Sequence, residues 1–267
     1  MNSCLPAIIF FMSLLAAVQS GVFDDVKRLL DSKGNPNERD VQKQTPLHIA
    51  AQKGDKDIMA YLLKSRKVDV NAQDEQGWTA LLVSVVHGNY SVIQCLLNHK
   101  AIKAAAPNAE FNTPFIYLCK KRNIPDSEVK LYTDTLYMFQ KLGVDLNERN
   151  MFGETALHYA AMCNNLPAIK FLHENNANFN AINKCVLCNL LTVYTNHKIT
   201  SRGETPLQYA MSAPEYQTIS NLLKYGADPT IKPHDGVELH KLTEDPQIKN
   251  ILERKFFHMS LIPLYNN

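Results

Sequence analysis

Two histidines stand at matching places in the chain and could do acid–base or metal chemistry. His48 lies three residues after Thr45, and His158 three after Thr155. Imidazole titrates near neutrality, which suits a general base or a ligand. Neither histidine has a nucleophile or a carboxylate at catalytic spacing, and a residue that recurs in register is expected to serve the fold. Cys185-Val186-Leu187-Cys188 with His197 offers a second chemistry, because thiolates at this spacing can share a zinc ion. Only three ligands are local where a structural site wants four, so the expectation is an irregular loop with incidental cysteines and no metal. Lys120, Lys121 and Arg122 form a small basic run, expected to be a solvated edge. Asn89-Tyr90-Ser91 is a formal glycosylation acceptor but falls where a helix should begin, and it reads as coincidence. The sequence has no phosphate-binding glycine loop, kinase catalytic loop or metal-binding signature. It gives no support for catalysis, a cofactor or a small-molecule substrate.

The elements that carry these residues are short helices. In Thr45-Pro46-Leu47-His48-Ile49-Ala50-Ala51, Thr45 can cap the first turn and Pro46 suits the first helical position. Leu47, Ala50 and Ala51 form an apolar stripe with small residues where a neighbour must come close, and Gly54 supplies the left-handed stop. A helix this short cannot stand alone in water. Repetition provides its neighbours: Thr45 recurs as Thr79 and Thr113 at steps of 34, then as Thr155 and Thr205 after 42 and 50. Asn37, Asn71 and Asn147 each precede a threonine of this series by 8, and Asn180 precedes Thr205 by 25. Self-similarity at such a period predicts a solenoid.

The starts Thr45-Pro46-Leu47-His48, Thr79-Ala80-Leu81-Leu82, Thr113-Pro114-Phe115-Ile116, Thr155-Ala156-Leu157-His158 and Thr205-Pro206-Leu207-Gln208 resemble those of the ankyrin-repeat family. So do the second helices around Ile58 to Leu63, Val92 to Leu97 and Ile219 to Leu223, and turns such as Val68-Asp69-Val70-Asn71. The resemblance covers nearly the whole chain. It implies an all-α ankyrin-repeat solenoid of helix-turn-helix units of about 33 residues joined by β-hairpin-like finger loops. It also implies that His48 and His158 hydrogen-bond within the repeat.

A net charge of +2 over 267 residues gives no case for nucleic acid or a membrane surface. Cys95, Cys119 and Cys163 lie inside helical patterns and read as small buried hydrophobes, so a disulfide framework is not expected. The apolar run Leu5 to Val18, ending in Val18-Gln19-Ser20, has two readings. It resembles a signal peptide cleaved before Gly21, although no Lys or Arg precedes it. It also keeps repeat register, since Leu14 and Gly21 each lie 33 residues before Leu47 and Gly54, with Val26 to Leu30 as the second helix. The register favours a first repeat over residues 1–40, and the membrane enters only if this segment is a signal or an anchor.

Repeats two to five are expected over 41–184, an insertion loop over 185–201, repeat six over 202–232, a degenerate capping repeat over 233–258 and a tail over 259–267. Repeat three has Ala105 where Asn71 stood, which should loosen the next turn. In repeat four Phe111 replaces a turn glycine, Arg122 to Pro125 replace the glycine stop, and Asp126-Ser127-Glu128 should open a lengthened second helix. Asn164 should stand in for the terminating glycine of repeat five. The cap is expected to hold two short helices, near Leu239 to Leu242 and Pro246 to Phe257.

The resemblance places a binding face on the finger tips and the exposed side of each first helix. Its variable positions fall on Val41, Gln42, Gln44, Gln52 and Lys53, then Glu75, Gln76, Trp78, Val86 and His87. They continue with Ala109, Glu110, Asn112, Lys120 and Lys121, then Met151, Phe152, Glu154, Met162 and Cys163. Trp78, Met151 and Phe152 are the expected anchors, being large apolar groups at positions normally open to water. The expected function is a cytoplasmic adaptor, scaffold or inhibitor that binds another protein without catalysis. The alternatives are a secreted effector and the regulatory part of a larger enzyme.

Overall fold

A computed structural model describes residues 13–184, 203–233 and 236–261. Residues 1–12 and the insertion with Cys185, Cys188 and His197 lie outside the described residues. Those described form helices joined by turns, with one isolated antiparallel bridge, Gln73 to Thr79, where a hairpin-like finger was expected.

Two units divide the chain: residues up to Pro114 together with Tyr137–Val144, and Phe115–Leu136 together with residues from Asp145 onward. Unit 1 holds the pairs α1 (Leu14–Ser20) and α2 (Phe23–Asp31), α3 (Pro46–Lys53) and α4 (Lys56–Leu62), and α5 (Ala80–His87) and α6 (Tyr90–Leu97). The helices α7 (Pro114–Cys119) and α8 (Asp126–Lys141) fall across the division. Unit 2 continues with α9 (Ala156–Met162), α10 (Leu166–Glu174), α11 (Pro206–Ala210), α12 (Tyr216–Lys224), a 3₁₀ turn at Leu239–Leu242 and α13 (Pro246–Leu261). The last helix has 16 residues and runs past Phe257, so it is longer than the two-short-helix reading allowed.

Within unit 1, first helices pack on first helices, α1 on α3 and α3 on α5, while α2 packs on α4 and α4 on α6. Unit 2 repeats this, α9 against α11 and α10 against α12. The alanines permit it: Ala50 and Ala51 are fully buried in the middle of unit 1, flanked by Leu47, Ile58, Met59, Leu62, Leu81 and Leu82, all buried. No helix of five to nine residues could persist without this packing. Ser13 caps α1 and Gly21 closes it in the left-handed region, with Leu14, Ala17 and Val18 buried.

Two polar devices set the stacking. The first is the Thr-His box. The Thr45 Oγ1 accepts the His48 N–H, and the Thr45 N–H donates to His48 Nδ1 at 3.1 Å. The proton must then sit on Nε2, which donates to the Trp78 carbonyl at 2.9 Å in the next repeat. His158 does the same for Thr155 and the Glu204 carbonyl, and Gln208 for Thr205 and Ile231. The second device is the asparagine staple. Asn37 donates to the Lys67 carbonyl at 2.7 Å and accepts the Asp69 N–H at 2.8 Å, and Asn71 treats Ala101 and Lys103 alike. Ala105 cannot do this, and a cavity of about 440 Å³ lies there between residues 102–106 and Leu142–Val144.

Candidate partner-binding surface

Each finger is a turn pinned from within. The Asp40 carboxylate accepts the N–H groups of Gln42 and Gln44, Asp74 those of Gln76 and Trp78, Asn108 those of Glu110 and Asn112, and Asn150 those of Phe152 and Glu154. One acceptor thus holds two donors at each of these four tips, an arrangement a short Asp or Asn side chain can reach. Successive tips of unit 1 are also tied by single backbone bonds, the Glu75 N–H to the Gln42 carbonyl at 3.0 Å and the Ala109 N–H to that of Gln76 at 3.3 Å. In unit 2 the Lys184 N–H donates to Phe152 at 2.8 Å. These Asp and Asn residues were not singled out from the sequence, although they recur five positions before Thr45, Thr79, Thr113 and Thr155. That recurrence was the signal.

The residue two before each of these threonines has positive φ: Lys43 at 61°, Gly77 at 78°, Phe111 at 60° and Gly153 at 74°. At Gly153 a Cβ would lie 2.6 Å from the Lys184 nitrogen, so glycine is required by close approach as well as by conformation. Phe111 holds the same backbone with a full aromatic side chain, 59% exposed. Left-handed backbone costs a non-glycine residue about 1–2 kcal/mol.

Of the residues expected to face a partner, unit 1 exposes Gln42, Lys53, Glu75, Gln76, His87 and Glu110. Val41 is 91% exposed. Gln44 and Trp78 are half-buried. Asn112 is buried, which corrects its assignment to the surface. The chain turns back inward after the tip, and its amide donates to Glu110 Oε2 at 3.0 Å.

In unit 2, Lys120, Lys121, Met151, Phe152 and Glu154 are all half-buried rather than open. Lys120 lies 5.0 Å from the centroid of the Tyr159 ring, and Arg122 donates to the Met162 carbonyl, so the basic run is more than a solvated edge. Glu154 is the hub of a polar cluster. Its carboxylate accepts the Tyr159 hydroxyl at 2.5 Å, the Asn150 amide at 2.8 Å and the Tyr209 hydroxyl. Burial, with the Glu154 charge next, raises both phenols above their ordinary range. Burial also lowers His48, and brings His158 down to about 4, so both rings are neutral braces. Asn89, the formal glycosylation acceptor, spends its amide on the Ala51 and Gln52 carbonyls. Among the described residues no group of three metal-ligating side chains occurs, and no helix is long and apolar enough to cross a membrane.

The model for ankyrin repeats in three copies matches residues 14–108 and 127–233. A probable serine/threonine-protein kinase of Dictyostelium discoideum is 31% identical over 211 residues, 77% of this chain and 22% of that protein. The human transient receptor potential cation channel subfamily A member 1 is 24% identical, covering 93% of this chain and 27% of the channel. Human Rabankyrin-5 is 24% identical over 85% of the chain and 16% of its own length. The chain thus spans well under a third of these relatives. Two solved structures share the fold: the ankyrin repeat domain of Bcl-3, at TM-score 0.68, 19% identity and coverage of 90% of this chain and 97% of that one, and that of human ASB11, at 0.71, 18%, 91% and 96%. With paired short helices, Thr-His boxes and pinned fingers already in place, the chain belongs to the ankyrin-repeat family.

Proposed function

We propose that this chain is an intracellular, non-catalytic adaptor, scaffold or inhibitor that holds another protein through its finger tips and the exposed sides of its first helices. Phe111 carries the reading. A large aromatic group 59% exposed on a strained tip lowers stability with no gain to the core. Such a side chain is suited to anchor an interface, where aromatic residues supply most of the energy. Val41, 91% exposed on another tip, adds an apolar contact. Glu75 and Gln76 stand exposed between them in the chain and supply polar recognition. The intracellular placement is supported by α1, whose buried face would be lost by cleavage before Gly21.

Affinity capture followed by mass spectrometry, comparing the intact chain with Phe111→Gly, tests the proposal. A set of captured proteins that is unchanged by this substitution sinks it. A second reading, a regulatory repeat region within a longer polypeptide, is favoured by the 22% share of the kinase relative that the chain covers.

A further inference from the structure

Apart from the finger tips, unit 1 carries a groove of about 660 Å³ between the turn that follows α2 and the turn that follows α4. Four cations line it, Lys33 on one bank and Lys64, Arg66 and Lys67 on the other, with Asp31 the single carboxylate. All four are exposed, and among the described residues none is in an ion pair. Asp31 is occupied by the Tyr61 hydroxyl, which donates to it at 2.7 Å, and the Lys64 ammonium stands 5.4 Å from the centroid of the same ring. The chain as a whole carries only +2, so this concentration of positive charge is local.

Both banks are fixed. Asn37 holds the Lys67 carbonyl and the Asp69 N–H, and the Gly34 N–H donates to Leu29 at 2.9 Å where a Cβ would crowd the same carbonyl at 2.8 Å. Lys33, at φ 66°, is set by this close of α2. Like charges fixed around one concavity raise the local potential and concentrate anions.

We propose that this groove binds a compact polyanion bearing several phosphate groups, of the inositol polyphosphate class. Lysine supplies point charges and Arg66 a planar fork, which together suit several phosphates around a ring better than one carboxylate. The Tyr61 ring forms an apolar wall for the carbon frame. The ligand is free in solution or is the headgroup of a phosphorylated inositol lipid, since the chemistry offered is the same.

The test uses the full chain. Inositol hexakisphosphate is titrated calorimetrically, and vesicles of phosphatidylcholine with phosphatidylinositol bisphosphate are compared with vesicles of phosphatidylcholine and phosphatidylserine. The expected result is saturable binding that weakens as salt rises. Lys64→Gln with Lys67→Gln should weaken it at least about tenfold while the thermal midpoint holds, since both side chains are exposed. Phe111→Gly should leave it unchanged, which separates this site from partner capture. Preference for the soluble probe assigns a free ligand, and flotation with the bisphosphate vesicles alone assigns a lipid. No saturable binding of either probe, binding indifferent to the double substitution, or equal binding of a polyglutamate peptide overturns the proposal.

Discussion

The His48 ring joins two repeats, taking the Thr45 N–H on Nδ1 and donating from Nε2 to the Trp78 carbonyl at 2.9 Å. Replacing it with alanine leaves the buried Thr45 N–H without its acceptor, which costs about 1–3 kcal/mol, while the Trp78 carbonyl keeps the Asp74 N–H at 2.9 Å. His48→Ala should therefore destabilise the chain by roughly 1–3 kcal/mol in urea denaturation. His48→Gln should lose less than half of that, because Gln208 already plays both parts for Thr205 and Ile231.

The same neutrality fixes a pH dependence. The unfolded chain protonates His158 near 6.5, whereas the native ring resists until about 4 because burial disfavours the charged form. Between these values the unfolded state binds more protons, so stability rises with pH and is lost on acidification from about 6.5 toward 4. The loss should be on the order of 3 kcal/mol, with His48 contributing in the same direction. Urea midpoints measured across this range should fall, and His158→Gln should flatten the curve.

Ala105→Asn should stabilise. The staples at Asn37 and Asn71 each make two hydrogen bonds, and Gly143, four residues before Asn147 as Ala101 is four before Ala105, lines the same hollow as Ala105. A gain of about 0.5–1.5 kcal/mol is expected, read as a higher thermal midpoint. No gain would show that the turn after α8 is set otherwise.

Phe111→Gly should stabilise the chain by about 1 kcal/mol, by relieving the left-handed aromatic residue, and weaken partner capture by more than about 1 kcal/mol. Trp78→Ala and Phe152→Ala should each weaken capture by a similar amount. Both side chains are half-buried, so the folding stability of each variant must be measured beside it.

A chain that begins at Gly21 loses the helix whose Leu14, Ala17 and Val18 are buried, and α1 also packs on α3. It should melt earlier and bind a hydrophobic dye more strongly than the full chain. N-terminal sequencing of the native protein completes the test, since a first residue of Gly21 would refute the intracellular reading.

The helices were legible because capping threonines, prolines and glycines mark helix ends locally. Thr45, Pro46 and Gly54 all behave as read, and Asn164 takes φ 54° as the stand-in for glycine. Asp126 does open a lengthened second helix, of 16 residues. The surface was less legible, because exposure depends on what packs above a residue and not on its repeat position. Trp78, Met151 and Phe152 stand at repeat positions normally open to water yet are half-buried, while Asn112 is folded inward onto Glu110. The sequence marks Phe111 only as a missing glycine, because the strain at that tip lies in its backbone angle, φ 60°. The groove beside Tyr61 is not legible in the sequence because its charges come from two separate turns, Lys33 on one and Lys64, Arg66 and Lys67 on the other.

In a linear array each repeat leans on its neighbours, so the weakest joint decides where the array first comes apart. The turn at Ala105 lacks the two-bond clasp that Asn37 and Asn71 provide elsewhere in unit 1, and an open hollow lies beside it. Backbone amides around residues 102–106 should therefore exchange with solvent sooner than those near Asn37 and Asn71. A protein that grips the fingers on both sides of that joint would splint it, so its arrival would slow the local breathing far from any atom it touches.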